Sequence, residues 1–132
     1  MYEAIIERIK ERLTGRELSV VIIPHISPDG DAAGSCSALW QVLDKVGIQA
    51  QLMTCDYVPD YLKWLKRIPD AISFQNRPKE CKQWLHKADI LFMLDHNTVT
   101  REGDLEPFVK EFKGEVIMID HHPDPDNVTF QI

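Results

Sequence analysis

The sequence predicts an α/β fold in three layers, with helices covering both faces of a parallel β-sheet. Two observations support this prediction. Short apolar runs rich in β-branched residues alternate along the chain with amphipathic segments of helical periodicity, and polar turn residues separate them. Alternation of this kind implies parallel βαβ units with right-handed crossovers. The length of 132 residues fits one domain with a single core.

The first three elements are predicted to be a helix, a strand and a second helix. Residues 2–14 carry apolar side chains at helical spacing among Glu, Arg and Lys, and Gly15 ends this helix. The apolar run "LSVVIIPH" is typical of a strand buried on both faces. A helix is predicted after the turn "SPDGD", and Gly47 follows it where a C-cap is expected.

The middle of the chain repeats this pattern of strand and helix. The segment "IQAQLMTC" predicts a strand, and "VPDYLKWLKRI" predicts a short helix that Pro69 ends. The segment "AISFQ" predicts a further strand. These elements extend the parallel sheet beyond its first strand.

The last part of the chain adds two helices and three strands. Residues 78–88 predict a helix, and "DILFMLD" predicts a strongly apolar strand. The segment "DLEPFVKEFK" predicts a second helix. The strands "EVIMID" and "VTFQI" complete the predicted sheet.

Ionisable side chains cluster where three of the predicted strands end. His25 ends the first strand, Asp29 and Asp31 lie in the loop after it, and Asp95 ends a later strand. Ligands bind at the carboxyl ends of the strands in open parallel sheets, so we expect these groups to converge on one edge. The strand "EVIMID" brings the remaining three residues to that edge, namely Asp120, His121 and His122.

Each of these stretches also has an ordinary structural interpretation. Alone, "SPDGD" is typical of a turn, and Asp31 could cap the helix that follows. Asp95 could be a helix cap or a turn residue, and His121 and His122 could form a solvated corner. Brought together, however, the carboxylates would repel one another and lose solvation unless a cation compensated them. The combination therefore predicts a metal site.

Composition and charge argue against several classes of protein. The formal charge is -6 and Lys and Arg form no long run, so binding to duplex nucleic acid or to a membrane surface is not expected. The three cysteines include no CxxC pair, which argues against a zinc ribbon and fits a reducing compartment. Apolar runs such as residues 20–23 are far too short to cross a bilayer. A cytoplasmic location is therefore expected.

Three stretches, taken in order, resemble the motifs of one family. "HISPDGDAAGS" resembles the first motif, HxxxDxDAxGS, of the DHH phosphoesterase superfamily, to which RecJ-like exonucleases and family II pyrophosphatases belong. "MLD" resembles the second motif, and "IDHHPDPDN" contains the DHH triplet itself. "IDHHPDPDN" and "LDHNTVTREG" are most similar to the bacterial oligoribonuclease (nanoRNase) and adenosine bisphosphate phosphatase branch. The resemblance implies a Rossmann-like DHH catalytic domain.

The resemblance also implies a set of metal ligands. His25 and Asp29 resemble the ligands of a first ion, and Asp31 and His121 resemble those of a second ion. Asp95 is expected to bridge the two ions and so to take part in catalysis. The expected cofactor is a pair of Mn²⁺ ions, with Mg²⁺ as the alternative, because mixed imidazole and carboxylate ligands suit Mn²⁺.

Five further residues are expected beside the substrate or behind the metal ligands. His122 resembles the family's substrate-side histidine, which binds the scissile phosphate or assists the leaving group, and Asp120 is expected to orient the histidines. Gly34 and Ser35 are expected to begin the helix, where free backbone donors could hold a phosphate. Arg101 could meet a phosphate if its loop turns inward.

The implied function is that of a metal-dependent phosphoesterase that hydrolyses short oligoribonucleotides or nucleotide bisphosphates. The expected partners are short single-stranded RNA or a nucleotide, and a second copy of the chain in a homodimer. One alternative is a sister activity, namely a pyrophosphatase, an exopolyphosphatase or a cyclic dinucleotide phosphodiesterase. Others are a catalytically inactive metal-binding fragment and a nucleotide-binding domain without metals, although the sequence lacks a GxGxxG or Walker A pattern.

The resemblance also predicts that the chain is part of a longer enzyme. Family members have a fourth motif, a further metal-binding Asp beyond the DHH triplet, and this sequence reaches Ile132 before such a position. We therefore expect residues 1–132 to be the N-terminal portion of the DHH catalytic domain, without the C-terminal DHHA1-type substrate domain. Weaker binding of the second ion and little turnover are expected for this portion alone.

Overall fold

A parallel six-stranded sheet forms the centre of the computed structural model, which describes residues 2–14, 17–96, 98–124 and 130–131. Across the sheet, each strand runs parallel to its neighbours. The strands in chain order are β1 (Ser19–Pro24), β2 (Gln49–Thr54), β3 (Ile72–Ser73), β4 (Ile90–Leu94), β5 (Glu115–Ile119) and β6 (Phe130–Gln131). Their order across the sheet is β3-β2-β1-β4-β5-β6, so the predicted parallel sheet is confirmed.

Helices cover both faces of this sheet. In the described part of the chain they are α1 (Glu3–Leu13), α2 (Gly30–Lys45), α3 (Pro78–Lys87) and α4 (Glu106–Lys110). Side chains alternate between the faces along a strand, so Val20 and Ile22 of β1 pack with α1 and α2, whereas Val21 and Ile23 pack with α3 and α4. Strands covered on both faces read as continuous apolar runs, and the three-layer prediction is confirmed.

Helix α2 begins at Gly30, and Asp29 caps it. The Asp29 backbone is extended, and its carboxylate accepts a hydrogen bond from the Ala32 amide at 3.0 Å. The cap is therefore Asp29, whereas the ordinary structural interpretation of the turn offered Asp31. The prediction that Gly34 and Ser35 begin the helix is wrong. Both lie in its second turn, where the amides are used by the helix itself.

The helix predicted over residues 58–68 does not form. The segment has two 3₁₀ turns instead, Asp60–Leu62 and Ile68–Asp70. Arg67 adopts a left-handed φ of +70° between them, and its guanidinium lies 4.1 Å from the centre of the Trp40 ring of α2. A left-handed residue cannot continue a right-handed helix. A tertiary contact therefore accompanies the break in a segment whose spacing is helical.

The remaining elements agree with the predictions in position and differ in length. The strand predicted at residues 71–75 is reduced to β3, and the helix predicted at residues 104–113 is reduced to α4, because a 3₁₀ segment, Val99–Leu105, precedes it. Of the last predicted strand, β6 is described, and residues 128, 129 and 132 lie outside the described residues. Within the described ranges, no helix has the length and apolar character needed to cross a membrane.

Candidate metal centre

The candidate site lies at the carboxyl edge of the sheet, where the order of the strands reverses. The chain runs from β1 outward through β2 to β3 and then returns to β4 on the other side of β1. In open parallel sheets, such a switch point leaves a crevice that binds ligands. His25 follows β1, Asp95 follows β4, and Asp120 follows β5. The topology thus brings three strand ends to one crevice.

His25 is held in a defined orientation at the end of β1. Only 8% of its surface is exposed, and its Nδ1 lies 2.7 Å from the carbonyl oxygen of Ile26. Because a carbonyl oxygen can only accept, Nδ1 carries the hydrogen and a neutral ring presents a lone pair at Nε2. That nitrogen lies 3.8 Å from Asp29 Oδ1 and 3.7 Å from Asp95 Oδ2. These separations are too long for hydrogen bonds and suit atoms that share an ion.

Asp29 combines the role of helix cap with a position beside His25. The hydrogen bond from the Ala32 amide, helped by the nearby His25 ring and opposed by slight burial, holds the pKa of Asp29 below its ordinary value. The carboxylate is therefore ionised at neutral pH, as a metal ligand must be.

Asp95 connects the end of β4 to both neighbouring strand ends. It is buried, it adopts a left-handed φ of +60°, and its backbone N–H donates to the Ile119 carbonyl oxygen at 3.0 Å. Its Oδ2 lies 3.7 Å from His25 Nε2, and its Oδ1 lies 3.2 Å from His121 Nε2. The two oxygens of one carboxylate thus face histidines from two different strands.

The end of β5 contributes an aspartate and two histidines. Asp120 accepts hydrogen bonds from the His122 backbone N–H at 2.8 Å and from His122 Nδ1 at 2.5 Å. Burial raises the pKa of Asp120, but the hydrogen bonds from His122 outweigh it and leave this pKa below its ordinary value. The ring centres of His121 and His122 lie 4.6 Å apart. Asp120 therefore fixes the orientation of the His122 ring.

These side chains form two groups in which the ligand atoms lie within 4.8 Å of one another. The β1 group consists of His25, Asp29 and Asp95, and the β5 group consists of Asp95, Asp120, His121 and His122. Asp95 belongs to both. Imidazole nitrogen and carboxylate oxygen together suit divalent transition metals such as Mn²⁺, and a cation would offset the repulsion among the carboxylates. The residues therefore fit a metal centre.

The other predicted site residues lie at different distances from these groups. Asp31, in the first turn of α2, has an oxygen 3.8 Å from His121 Nε2, at the margin of the β5 group. Gly34 faces open space, because a Cβ atom added there would meet no atom within 4 Å. The Arg101 side chain lies outside the described residues.

A cavity of about 380 Å³ opens beside the β5 group. Asp31 and Ser35 of α2 line it together with members of the β5 group. Tyr2, Leu94 and Ile119 also line it. No motif in the sequence pointed to Tyr2, because it reaches the site through the packing of α1. The lining of the cavity thus combines polar and apolar residues.

Sequence reasoning missed a buried ionisable pair next to Asp95. His96 and Glu102 are both fully buried, and His96 Nε2 contacts Glu102 Oε1. His96 Nδ1 lies 3.0 Å from the carbonyl oxygen of Leu94. The doublet of Asp95 and His96 at a strand end was a signal for a second functional side chain, but nothing local indicated its partner six residues later.

The fold and the site together define an α/β domain with a histidine and aspartate cluster at the switch point of its parallel sheet. The chain belongs to the DHH family, whose N-terminal domain matches residues 19–131. This assignment confirms the resemblance at the level of the family, and with it a phosphoesterase-type domain. No curated protein sequence matches the chain significantly.

A solved structure supports the same assignment. An exopolyphosphatase-related protein from Bacteroides fragilis is 30% identical in sequence and superposes with a TM-score of 0.94. The match covers 98% of this chain and 38% of that protein. The chain therefore spans well under half the length of this relative.

Proposed function

We propose that the complete gene product containing this chain is a metal-dependent phosphoesterase that hydrolyses short oligoribonucleotides or nucleotide bisphosphates with two Mn²⁺ ions. The observation that carries this proposal is the position of Asp95, whose two oxygens belong to both the β1 group and the β5 group. A carboxylate shared in this way could serve both ions of a pair. His25 and Asp29 would hold one ion, and Asp31 and His121 the other.

The charge of the site supports a phosphate substrate. The acidic residues at this edge would repel a phosphate by themselves, and bound divalent ions invert that potential. When bound, such ions supply positive charge for the phosphoryl oxygens and lower the pKa of a bound water. The chain itself would hold the ions. The side chains of His25 and Asp95 that would bind them are buried.

His122 is proposed as the residue that transfers a proton to or from the substrate. Asp120 accepts from His122 Nδ1, which fixes the hydrogen on that nitrogen and leaves Nε2 as the atom that exchanges a proton with the substrate or its leaving group. The carboxylate also stabilises the ring when it is charged. Asp120 thus acts through His122.

The apolar residues that line the cavity favour a nucleotide over a purely inorganic substrate. Tyr2 is half exposed and Ile119 is 39% exposed, so both present apolar surface beside the β5 group. A base or ribose can cover such surface, and aromatic side chains stack on bases. A polyphosphate chain has no apolar part to place there. We propose that a DHHA1-type domain, expected from the sequence resemblance, completes the substrate site.

The second candidate is exopolyphosphatase activity, which the name of the Bacteroides fragilis relative favours. It would use the same ligands with a different substrate. We also propose a location in the reducing cytoplasm, which the free thiols of Cys36, Cys55 and Cys81 support. A second copy of the chain remains the predicted protein partner.

The test is a substrate panel on the complete gene product with Mn²⁺ or Mg²⁺. The panel contains a labelled dinucleotide, adenosine 3′,5′-bisphosphate, pyrophosphate, polyphosphate and a cyclic dinucleotide. We expect Mn²⁺-dependent hydrolysis of the dinucleotide or the bisphosphate. Preferential hydrolysis of polyphosphate would favour the second candidate, and no Mn²⁺ binding at all would refute the metal centre.

Asp95→Asn is the variant that tests the shared ligand, since Asn keeps the shape and removes the charge. Outer partners of metal ligands already cost about 10- to 100-fold in activity or affinity, so we expect this variant to lose at least about 100-fold in hydrolysis. Asp60→Asn is the matched control, because the Asp60 side chain is 93% exposed and belongs to neither the β1 group nor the β5 group. Full activity of Asp95→Asn would contradict the assignment.

A further inference from the structure

A fully buried ionisable pair follows Asp95 in the chain, and the proposed function does not use it. His96 and Glu102 each have 0% of their surface exposed, and their side chains contact each other through His96 Nε2 and Glu102 Oε1. Burying two such groups is costly, and apolar residues of similar volume are often at least as stable in their place. The pair is therefore not explained by the packing of the core alone.

The His96 ring connects the residue before Asp95 with a side chain from the segment that follows. Its Nδ1 lies 3.0 Å from the carbonyl oxygen of Leu94, the last residue of β4. A carbonyl oxygen only accepts, so Nδ1 carries a hydrogen, and a second hydrogen lies between Nε2 and Glu102. The ring thus ties the end of β4 to the 3₁₀ segment that carries Glu102.

Asp95 needs such support because its backbone conformation is unfavourable. Its φ of +60° places it in the left-handed region, which costs free energy for a residue other than glycine and persists where the surroundings hold it. The hydrogen bond from its N–H to the Ile119 carbonyl oxygen holds one side. The contacts of the next residue, His96, hold the other.

Glu102 lies in a segment that packs closely against the residue after β2. The following residue, Gly103, has φ +57°, and a Cβ atom there would come within 2.7 Å of Cys55 Sγ. The Asp104 N–H donates to the same sulfur at 3.2 Å. Close packing against the end of β2 therefore fixes the position from which Glu102 reaches His96.

The charges of this region are concentrated around the same point. Burial, followed by the negative charges of Glu102 and Asp95, raises the pKa of the Cys36 thiol far above its ordinary value. Two carboxylates thus act on one buried thiol of α2, and the His96 ring lies against one of them. The pair belongs to the electrostatic surroundings of the shared ligand.

From these contacts we propose that His96 and Glu102 form a positioning pair, which holds Asp95 in the conformation that turns its two oxygens toward His25 and His121. The proposal rests on the metal centre proposed above. It assigns the pair no contact with substrate or ions. Its effect is on the affinity of both metal positions, because Asp95 belongs to both groups.

The test compares Mn²⁺ binding with stability in the complete gene product. The variants are Glu102→Gln, which keeps the shape and removes the charge, and His96→Asn, which keeps a donor near the Nδ1 position and loses the contact with Glu102. The controls are Glu111→Gln and His86→Asn, because both of these residues are exposed. Mn²⁺ affinity is measured by calorimetry, and the electron paramagnetic resonance spectrum reports whether two bound Mn²⁺ ions are coupled.

We expect each variant to bind Mn²⁺ at least about tenfold more weakly, the effect typical of the outer partners of metal ligands, and to lose the signal of coupled ions. The controls are expected to stay within twofold of the wild type. Urea unfolding in EDTA separates this effect from instability. Variants that are less stable yet bind Mn²⁺ as tightly as the wild type would show a structural pair and overturn the proposal.

A double variant keeps the test decisive if a single variant does not fold. His96→Phe with Glu102→Leu leaves no buried charge and replaces both side chains by apolar ones. A stable double variant with weakened Mn²⁺ binding supports the positioning role, and one with unchanged binding refutes it. If the wild type itself binds no Mn²⁺, the proposed function fails first, so the two failures are distinguishable.

Discussion

The two groups that share Asp95 differ in how far the fold covers the histidine that each turns toward this residue. The side chain of His25 in the β1 group is 9% exposed and its Nδ1 is held by the Ile26 carbonyl oxygen, whereas the side chain of His121 in the β5 group is 74% exposed. Both present Nε2 to an oxygen of Asp95. The two histidines are therefore preorganised to different degrees. Ordering the less organised side chain would reduce the free energy of metal binding more.

The position of each strand in the sheet explains the difference. Strand β1 lies between β2 and β4 in the middle of the sheet. Strand β5 lies on the other side of β4, closer to the edge of the sheet. The loop after β1 is also tied to its neighbour, because Asp56 accepts hydrogen bonds from the N–H and the hydroxyl of Ser27. The histidine after the central strand is thus covered and restrained, and the first histidine after the outer strand is exposed.

The largest effect on Mn²⁺ binding is expected from replacing one histidine of each group in turn. His25→Gln should weaken Mn²⁺ binding by at least about 100-fold and His121→Gln by at least about tenfold, because loss of an outer partner alone costs about 10- to 100-fold and the buried ring is the better organised of the two. Calorimetric titration with Mn²⁺ measures both. His86→Gln on the exposed side of α3 is the control. A larger loss for His121→Gln would reverse the comparison.

A smaller effect is expected from Asp120→Asn, which sharpens the comparison inside the β5 group. Asn has no charge and keeps only one accepting oxygen for the two hydrogen bonds from His122, so kcat should fall by about tenfold while Mn²⁺ binding to the β1 group stays unchanged. Steady-state kinetics and calorimetry on the same preparation measure the two quantities. Complete loss of the second Mn²⁺ ion would instead identify Asp120 as a ligand.

The smallest effect concerns Asp29, which has a structural role and a proposed metal role in the β1 group. In EDTA, Asp29→Ala should lower the free energy of unfolding by about 1 kcal/mol, and Asp29→Asn should stay close to the wild type, because Asn is an equally good helix cap. In Mn²⁺ both variants should lose the stabilisation that the ion gives. Urea unfolding with and without Mn²⁺ measures this, and a destabilised Asp29→Asn in EDTA would contradict the cap.

The pH dependence of the same variants tests the charge on Asp29. Its pKa is lowered in the folded protein, so its contribution to stability is complete above the unfolded value of about 3.9 and is lost as the pH falls through the folded value. In EDTA, the advantage of the wild type over Asp29→Ala should therefore be constant near neutral pH and shrink in acid. An advantage that instead grows in acid would show that the sign is wrong.

The site was more predictable than several of the elements around it. The clustering of these side chains could be predicted because parallel strands all present their carboxyl ends at one edge, and His25, Asp95 and His121 do meet there. The segment over residues 58–68 could not, since its helical spacing is overridden where Arg67 turns left-handed against Trp40. Local periodicity carries no information about such a contact.

The sequence by itself determined the parallel α/β sheet, the positions of its strands and the acidic and imidazole groups that follow them, because these depend on local periodicity and on residue order. Only the tertiary structure decided that Asp29 is the helix cap, that Asp95 turns its two oxygens to different groups, and that His96 pairs with Glu102. These outcomes depend on the direction of individual side chains, and packing between segments distant in sequence fixes those directions.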